Sequence, residues 1–310
     1  MNMKVKIWNW VEPHIRLPVA GLDISDRTVK YLAFGTGKKT SQIAAFGEFD
    51  VPEGFITNGE IKKEDELVSV FSSWRAKERK IAKSFFVVSL PEEKSFLQII
   101  QLPKMRDDEV KNAIRWEIEA NIPLAFEDII YDYEIIEPFQ EGLDHLDIMV
   151  IAFPRAIVES YVRALTRAGI SIFALELESQ AIVRSSVPIL RIPSACMVVD
   201  IGRHRTSFIV FAGGSIVFTT TIELGGRLFE EHISKALGVS MEEAKNLKKR
   251  IGLNKKAENS DLFNALLPTV TVFADELRRV TEYYRNHTGH MHGVEDHVGS
   301  VLLVGGDANL

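Results

Sequence analysis

Two aspartates, Asp23 and Asp200, each stand near the end of a short apolar run, followed by Ile and then a polar tip. The first context reads GLDISDRTVKYLAF from Gly21, and the second reads VVDIGRHRTSFIVF from Val198. Asp23 precedes Phe34 by the same interval at which Asp200 precedes Phe211. Successive backbone N–H groups in a tight turn form a concave donor surface that fits a phosphate. A carboxylate beside such a turn can hold Mg²⁺ through water, because Mg²⁺ keeps several waters and takes few protein oxygens. Two such turns facing one another would clasp a triphosphate from both sides.

Each context has the pattern of a β-hairpin. Val19 to Ile24 runs in, SDR makes the tip, and Val29 to Phe34 runs out; in the second copy Met197 to Ile201 runs in, GRHR makes the tip, and Thr206 to Phe211 runs out. A third strand is expected after each, in SQIAAFGEFDV and in SIVFTTTIEL. Duplicated elements this far apart point to two related halves, since a solenoid would repeat every 20–50 residues or so.

The bulk composition is compatible with that reading. The chain has 310 residues, 46% apolar and 26% charged, which suits a two-domain globular protein. Its formal net charge of −6 argues against nucleic acid as a partner, because phosphate-backbone binding relies on clustered Lys and Arg. The single cysteine, Cys196, lies in an apolar run and excludes a disulfide framework, as in a cytoplasmic protein. The N-terminal segment, residues 1–17, lacks the apolar core of a signal peptide. Its Trp8 and Trp10 beside Lys4 and Lys6 suit either packing on the protein's own first domain or a short interfacial anchor. The loop with His287, His290, His292 and His297 matches no zinc spacing and reads as solvated.

Paired Asp-bearing hairpins in two halves are the organisation of the actin-like ATPases and sugar kinases, and further elements follow in the order that superfamily implies. LELESQAIVRSSV reads as a helix linking the halves and carries Glu178. Gly225 and Gly226 precede an apolar-periodic helix, and Ser240 with Glu243 forms a capping box before the helix that carries Lys248. VLLVGGDANL is an apolar strand running into Gly305 and Gly306, where glycines permit close approach to a base or ribose.

The segment between the first hairpin and the linking helix narrows the choice. VVSLP and FLQIIQLP read as paired strands, Asp107 or Asp108 caps a helix with Val110, Ala113, Ile114 and Ile118 on one face, and IIYDYEII and LDIMVIAFP read as further strands. This run resembles the PilM family, cytoplasmic actin-like proteins of type IV pilus assembly, over residues 18–310; at coarser grain it is similar to FtsA. The resemblance implies an actin-like ATPase fold of duplicated ribonuclease-H-like halves, with a small α+β subdomain inserted in the first. The boundaries expected are 18–190, with the insertion at about 84–150, and 191–310; the resemblance also implies a helix and strands beyond Gly306, so the second half reads as truncated or abbreviated.

The resemblance further implies ATP and Mg²⁺ between the halves. Asp23, Ser25 and Thr28 would face phosphate or metal from the first hairpin, and Asp200, Gly202 and Thr206 from the second; Asp23 and Asp200 would hold Mg²⁺ through water. Glu178 would sit near an attacking water, and Gly225, Gly226, Lys248, Gly305 and Gly306 near the nucleoside. The implied partners are the N-terminal cytoplasmic peptide of a PilN-like membrane protein and pilus motor ATPase components, with the chain peripheral to the inner face of the cytoplasmic membrane through its partners. The chain departs from the family at Ser25, where Gly is usual, and at Lys245, where a ribose-binding Glu is common. No Ser-His-Asp arrangement or Walker-type loop is legible, so any hydrolysis is expected to be slow and nucleotide mainly structural. The alternative is a nucleotide-free scaffold like the GspL cytoplasmic domains, in which Asp23 and Asp200 are plain turn residues.

Overall fold

The computed structural model describes residues 19–35, 42–136, 143–187, 194–254, 260–287 and 295–308. Residues 1–17, with Trp8 and Trp10, lie outside these, as do His290 and His292 of the histidine-bearing loop. Two compact units divide the chain. The first comprises residues up to Phe96, Ile118–Asp132 and Ile151–Ile182; the second comprises Leu97–Glu117, Tyr133–Val150 and Val183–Leu310. The segment 84–150 therefore contributes to both.

In chain order the first elements are β1 (Val19–Ile24), β2 (Thr28–Phe34), β3 (Ile43–Asp50), β4 (Ile56–Thr57), β5 (Glu60–Ile61), α1 (Glu64–Lys77) and β6 (Phe85–Leu90). Then come β7 (Phe96–Pro103), α2 (Asp107–Asn121), β8 (Ile129–Ile135), β9 (His145–Pro154), α3 (Arg155–Arg167), β10 (Ser171–Leu177) and α4 (Glu178–Ser186). The chain continues as β11 (Ser194–Ile201), β12 (Thr206–Ala212), β13 (Ser215–Ile222), α5 (Gly226–Leu237), α6 (Met241–Ile251), α7 (Ser260–His287) and β14 (Glu295–Val304).

The first unit holds a five-stranded sheet in the order β10-β6-β1-β2-β3. β1, β2 and β3 form an antiparallel meander, while β6 adds in parallel beside β1 and β10 in parallel beside β6. The period-2 alternation of a strand sends Leu22, Ile24, Val29 and Tyr31 into the core and turns Asp23 to the opposite face. Helix α1 supplies buried Leu67, Phe71 and Trp74 to that core, and the Trp74 ring stacks on Phe49 of β3. The second unit repeats the meander as β11-β12-β13 and adds β14 in parallel beside β11, giving the order β13-β12-β11-β14. Met197, Val199 and Phe208 pack with Val280 and Tyr284 of α7, again leaving Asp200 on the other face. Each fully buried Leu, Ile or Phe in these cores contributes about 1.5–3 kcal/mol. No helix among the described residues is long and apolar enough to cross a membrane.

Two expectations need correction. β6 and β7 are not paired: β6 is an inner strand of the five-stranded sheet, and β7 belongs to a separate sheet of order β7-β9-β8. Pro91 and a short helical turn at Glu92–Lys94 end β6 and redirect the chain. The segment from Leu175 is also not helical throughout; it is β10 to Leu177, and only Glu178 opens α4. By contrast, Ser240 caps α6 as expected, its Oγ accepting from the Glu243 N–H at 3.2 Å.

The first hairpin tip also braces its surroundings. The Asp26 carboxylate accepts the N–H groups of Asn58 (2.9 Å) and Gly59 (3.0 Å), fixing the turn between β4 and β5. Asp26→Ala is expected to cost about 1–2 kcal/mol, because both amides lose a charged acceptor; chemical unfolding followed by circular dichroism checks this. On β5, the Lys62 and Lys94 ammonium groups hold the Glu60 carboxyl at about 2. A depressed carboxyl contributes stability that is present above its unfolded value of about 4.3 and is lost as pH falls toward the folded one. Glu60→Gln should therefore lower the melting temperature at pH 7, with the difference from wild type shrinking as pH is lowered from 4.5 toward 2.

Candidate functional site

The two hairpin tips are closed in the same way. Ser25 N–H donates to Thr28 O and Gly202 N–H donates to Arg205 O, both at 2.9 Å. Asp23 pairs in register with Lys30, and Asp200 with Ser207, so the carboxylates occupy equivalent positions. The threonines do not. Thr206 pairs with Ile201, whereas Val29 is the residue that pairs with Ile24. Thr28 therefore stays within its own tip, where its N–H donates to Ser25 Oγ at 3.2 Å and its hydroxyl lies 3.1 Å from the same atom. Thr206 is wholly buried and its hydroxyl donates to Leu224 O at 2.6 Å, tying β12 to the chain that enters α5.

Around Asp200 the structure gathers Gly202, Thr206, Gly225, Gly226, Lys248, Gly305 and Gly306 into one cluster of the second unit. The hairpin tip docks on the start of α5: Gly226 N–H donates to Gly202 O at 3.0 Å, and Arg227 N–H to Arg203 O at 2.8 Å. These bonds satisfy two of the N–H groups that a helix start leaves open. A Cβ on Gly225 would lie 2.6 Å from Gly202 O, and one on Gly226 would fall inside the Asp307 carboxylate, so both glycines are demanded by close approach within the unit. Gly305 has φ +98°, and a Cβ there would overlap Asp200 and the Ile201 carbonyl. Asp307 N–H donates to Ile201 O at 3.0 Å, so the turn after β14 is fastened to the end of β11. Gly306 differs: it is exposed and nothing lies within 4 Å of a Cβ built on it.

Lys248 fastens these pieces together. Its side chain is 3% exposed, and its Nζ donates to Gly226 O (3.0 Å), Glu230 Oε1 (2.8 Å) and Asp307 Oδ1 (2.6 Å). An ammonium has three N–H donors, and all three are used. Glu230 also accepts from Arg203 Nη2 at 3.2 Å, so Lys248, Arg203, Glu230 and Asp307 form a charge-balanced network at the end of the sheet. Lys248 thus acts on the turn and the helix start, and reaching a ligand would require it to give up one of these partners.

The remaining candidates lie in the first unit, at the carboxyl ends of β1, β6 and β10, the edge where open α/β sheets take ligands. Asp23 Oδ1 accepts from Ser89 Oγ at 2.8 Å. Glu178 is the first residue of α4, and the next N–H, that of Ser179, donates to the buried carboxylate of Glu92 at 3.2 Å. Glu92, Arg203, Glu230 and Asp307 were not picked out in the sequence. The available signals were slight: an acid just after the Pro that ends β6, an acid directly after Gly305–Gly306, and a Glu on an otherwise apolar helix face.

Lys248→Met would leave two carboxylates in the cluster against Arg203 alone. A loss of about 3–5 kcal/mol is expected from breaking one side of a buried pair, read as a lower urea midpoint. An unchanged midpoint would mean that the network contributes nothing to the fold.

Comparisons with known proteins bear on the fold and the family. The solved PilM-PilN type IV pilus biogenesis complex superimposes with a TM-score of 0.74 at 23% identity, over 94% of this chain and 82% of that one. MreB5 of Spiroplasma citri bound to ADP gives 0.58 at 15% identity, over 95% and 86%. The ethanolamine utilization protein EutJ from Carboxydothermus hydrogenoformans gives 0.53 at 16% identity, over 93% and 76%. These likenesses show the actin-like ATPase fold. The cell division protein FtsA of Bacillus subtilis (strain 168) is 25% identical over 173 residues, which is 51% of this chain and 39% of FtsA, so the match spans about two fifths of that relative's length. The family model for the type IV pilus assembly protein PilM matches residues 21–310, and the chain belongs to that family.

Proposed function

We propose that this PilM-family chain binds Mg-ATP as a structural ligand while holding the N-terminal cytoplasmic tail of a PilN-like inner-membrane protein. One observation carries the nucleotide part: the Asp200 hairpin tip, the α5 start and the Gly305–Gly306 turn are fastened into one cluster with open space at Gly306. Three of the glycines there are explained by contacts inside the unit. Gly306 is not, and an exposed glycine with nothing against it leaves room for a flat ring to approach the backbone. Asp200 and Asp23 occupy equivalent register positions at the ends of their sheets, which suits carboxylates that hold Mg²⁺ through its waters. Gly202 lies in a closed turn of the kind that offers N–H groups to phosphate, while Ser25 and Thr28 are the matching candidates of the first unit.

Glu178 is the candidate for positioning a water in any slow hydrolysis. The ADP carried by the MreB5 neighbour and the partner named for the PilM-PilN complex support the ligand and the partner respectively. Docking on a membrane protein's tail would place the chain at the inner face of the cytoplasmic membrane, peripheral to it and open to pilus motor components. The domain boundaries proposed remain 18–190 and 191–310, with a small subdomain inserted at about 84–150.

A nucleotide-free scaffold is favoured by one observation: internal partners already account for every N–H of Lys248 and for the small size of Gly225 and Gly226. Calorimetric titration with ATP in the presence of Mg²⁺ separates the two. Wild type should bind, and Asp200→Ala should weaken binding about tenfold or more, the loss of roughly one charge-assisted contact. Unaltered affinity in that variant would sink the phosphate-site assignment, and no binding to wild type would favour the scaffold. A labelled N-terminal peptide of the PilN-like protein should raise fluorescence anisotropy on adding the chain; no rise at any protein concentration would remove the partner assignment.

A further inference from the structure

The tip of the second hairpin carries a group that the account above leaves unused. Arg203 is the second residue of the Gly202–Arg205 turn, on the backbone stretch already assigned to phosphate. Helix α5 grips it twice. The Arg227 N–H in the first turn of that helix donates to Arg203 O at 2.8 Å, and Glu230 one turn later accepts from Arg203 Nη2 at 3.2 Å. Glu230 is itself 2% exposed and fixed by Lys248 at 2.8 Å, and Lys248 is anchored in turn on Asp307 and Gly226 O. Arg203 is thus held at its backbone by the start of α5 and at its guanidinium by Glu230, which belongs to a charge-balanced network. Its side chain nevertheless remains 45% exposed, with one nitrogen accounted for by Glu230.

A guanidinium has five N–H donors in a planar fork, and the geometry of that fork matches the oxygens of a phosphate. Most surface arginines must lose rotamer freedom to bind an anion; one already braced at its backbone and its head loses less. Bracing by a single bond to a buried glutamate leaves the other edge of the fork available.

We propose that Arg203 is a phosphate ligand of the nucleotide site and that Glu230 is its positioning residue. This rests on the nucleotide reading given above and deepens it: the chain would discriminate among nucleotides by the number of phosphates they carry. Lys248 and Asp307 then serve the phosphate end indirectly, by keeping Glu230 in place.

Calorimetry with ATP, ADP and AMP on wild type, Arg203→Ala, Arg203→Lys and Glu230→Gln tests it. Arg203→Ala should weaken ATP about tenfold or more, the size of one charge-assisted bond to phosphate, and AMP much less. Arg203→Lys should recover part of the loss, since it restores charge without the fork. Glu230→Gln should weaken ATP in the wild-type background and add nothing on top of Arg203→Ala, a pattern that a merely structural role for Glu230 would not produce. If Glu230→Gln fails to fold, the two exposed Arg203 variants still decide. Equal losses for ATP and AMP, or no loss, with wild type binding ATP normally, would overturn this inference and leave the nucleotide reading standing. Failure of wild type to bind any of the three would overturn both.

Discussion

The second unit depends on where one ammonium group sits. Lys248 reaches from α6 across to the start of α5 and to the turn after β14, bonding to both. Burying that charge is costly unless every donor finds a partner, and buried ion pairs are weak evidence of stability for that reason. What such a network supplies here is geometry. With Glu230 and Asp307 as its counter-charges, Lys248 allows only one placement of the Gly305–Gly306 turn against α5, and hence against Asp200. The glycines follow from this placement, since any side chain on Gly225 or Gly226 would push the tip or Asp307 away.

The internal duplication shows what must be kept when a motif is copied and what is free to diverge. Register is kept: both aspartates stand opposite equivalent residues, and both tips close through the same backbone bond, although one opens with Ser25 and the other with Gly202. The side-chain chemistry around the tips has diverged. Thr28 completes a local ring with Ser25, while Thr206 is buried and holds Leu224; Asp26 braces a neighbouring turn, while the half-exposed Arg203 reaches Glu230 of α5. Backbone geometry that offers N–H groups to a ligand is set by strand pairing, so it survives changes in the residues that decorate it.

What could be read before the structure was known divides along the same line. The hairpins, their third strands and the Ser240 cap were legible because alternation, tight turns and caps act over a few residues. The β6–β7 pairing was misread because neighbours in sequence suggest a hairpin, whereas β6 pairs with β1 and β10, which are remote. β10 was absorbed into a helix because Leu175-Glu176-Leu177 is too short to fix a period before helix-forming residues begin. The four-residue charge network was invisible for a simpler reason: Arg203, Glu230, Lys248 and Asp307 come from four elements, and no local pattern ties them together. Glycines misled in a subtler way, since a Gly pair signals close approach but does not say whether a ligand or the chain's own backbone makes it.

The sheets also differ at one strand, and that difference reaches beyond the site. β6 is flanked by β1 and β10, while its counterpart β14 pairs with β11 alone among the described residues. Among the described residues no strand lies along the side of β14 that faces away from β11, and Val301 and Leu303 are half exposed. Deuterium should therefore enter β14 by local fraying, whereas β6 should take it up only when its whole unit opens. A chain built on a repeated plan would then show two unequal clocks of solvent exchange, the faster one running at the strand that carries Gly305 and Gly306.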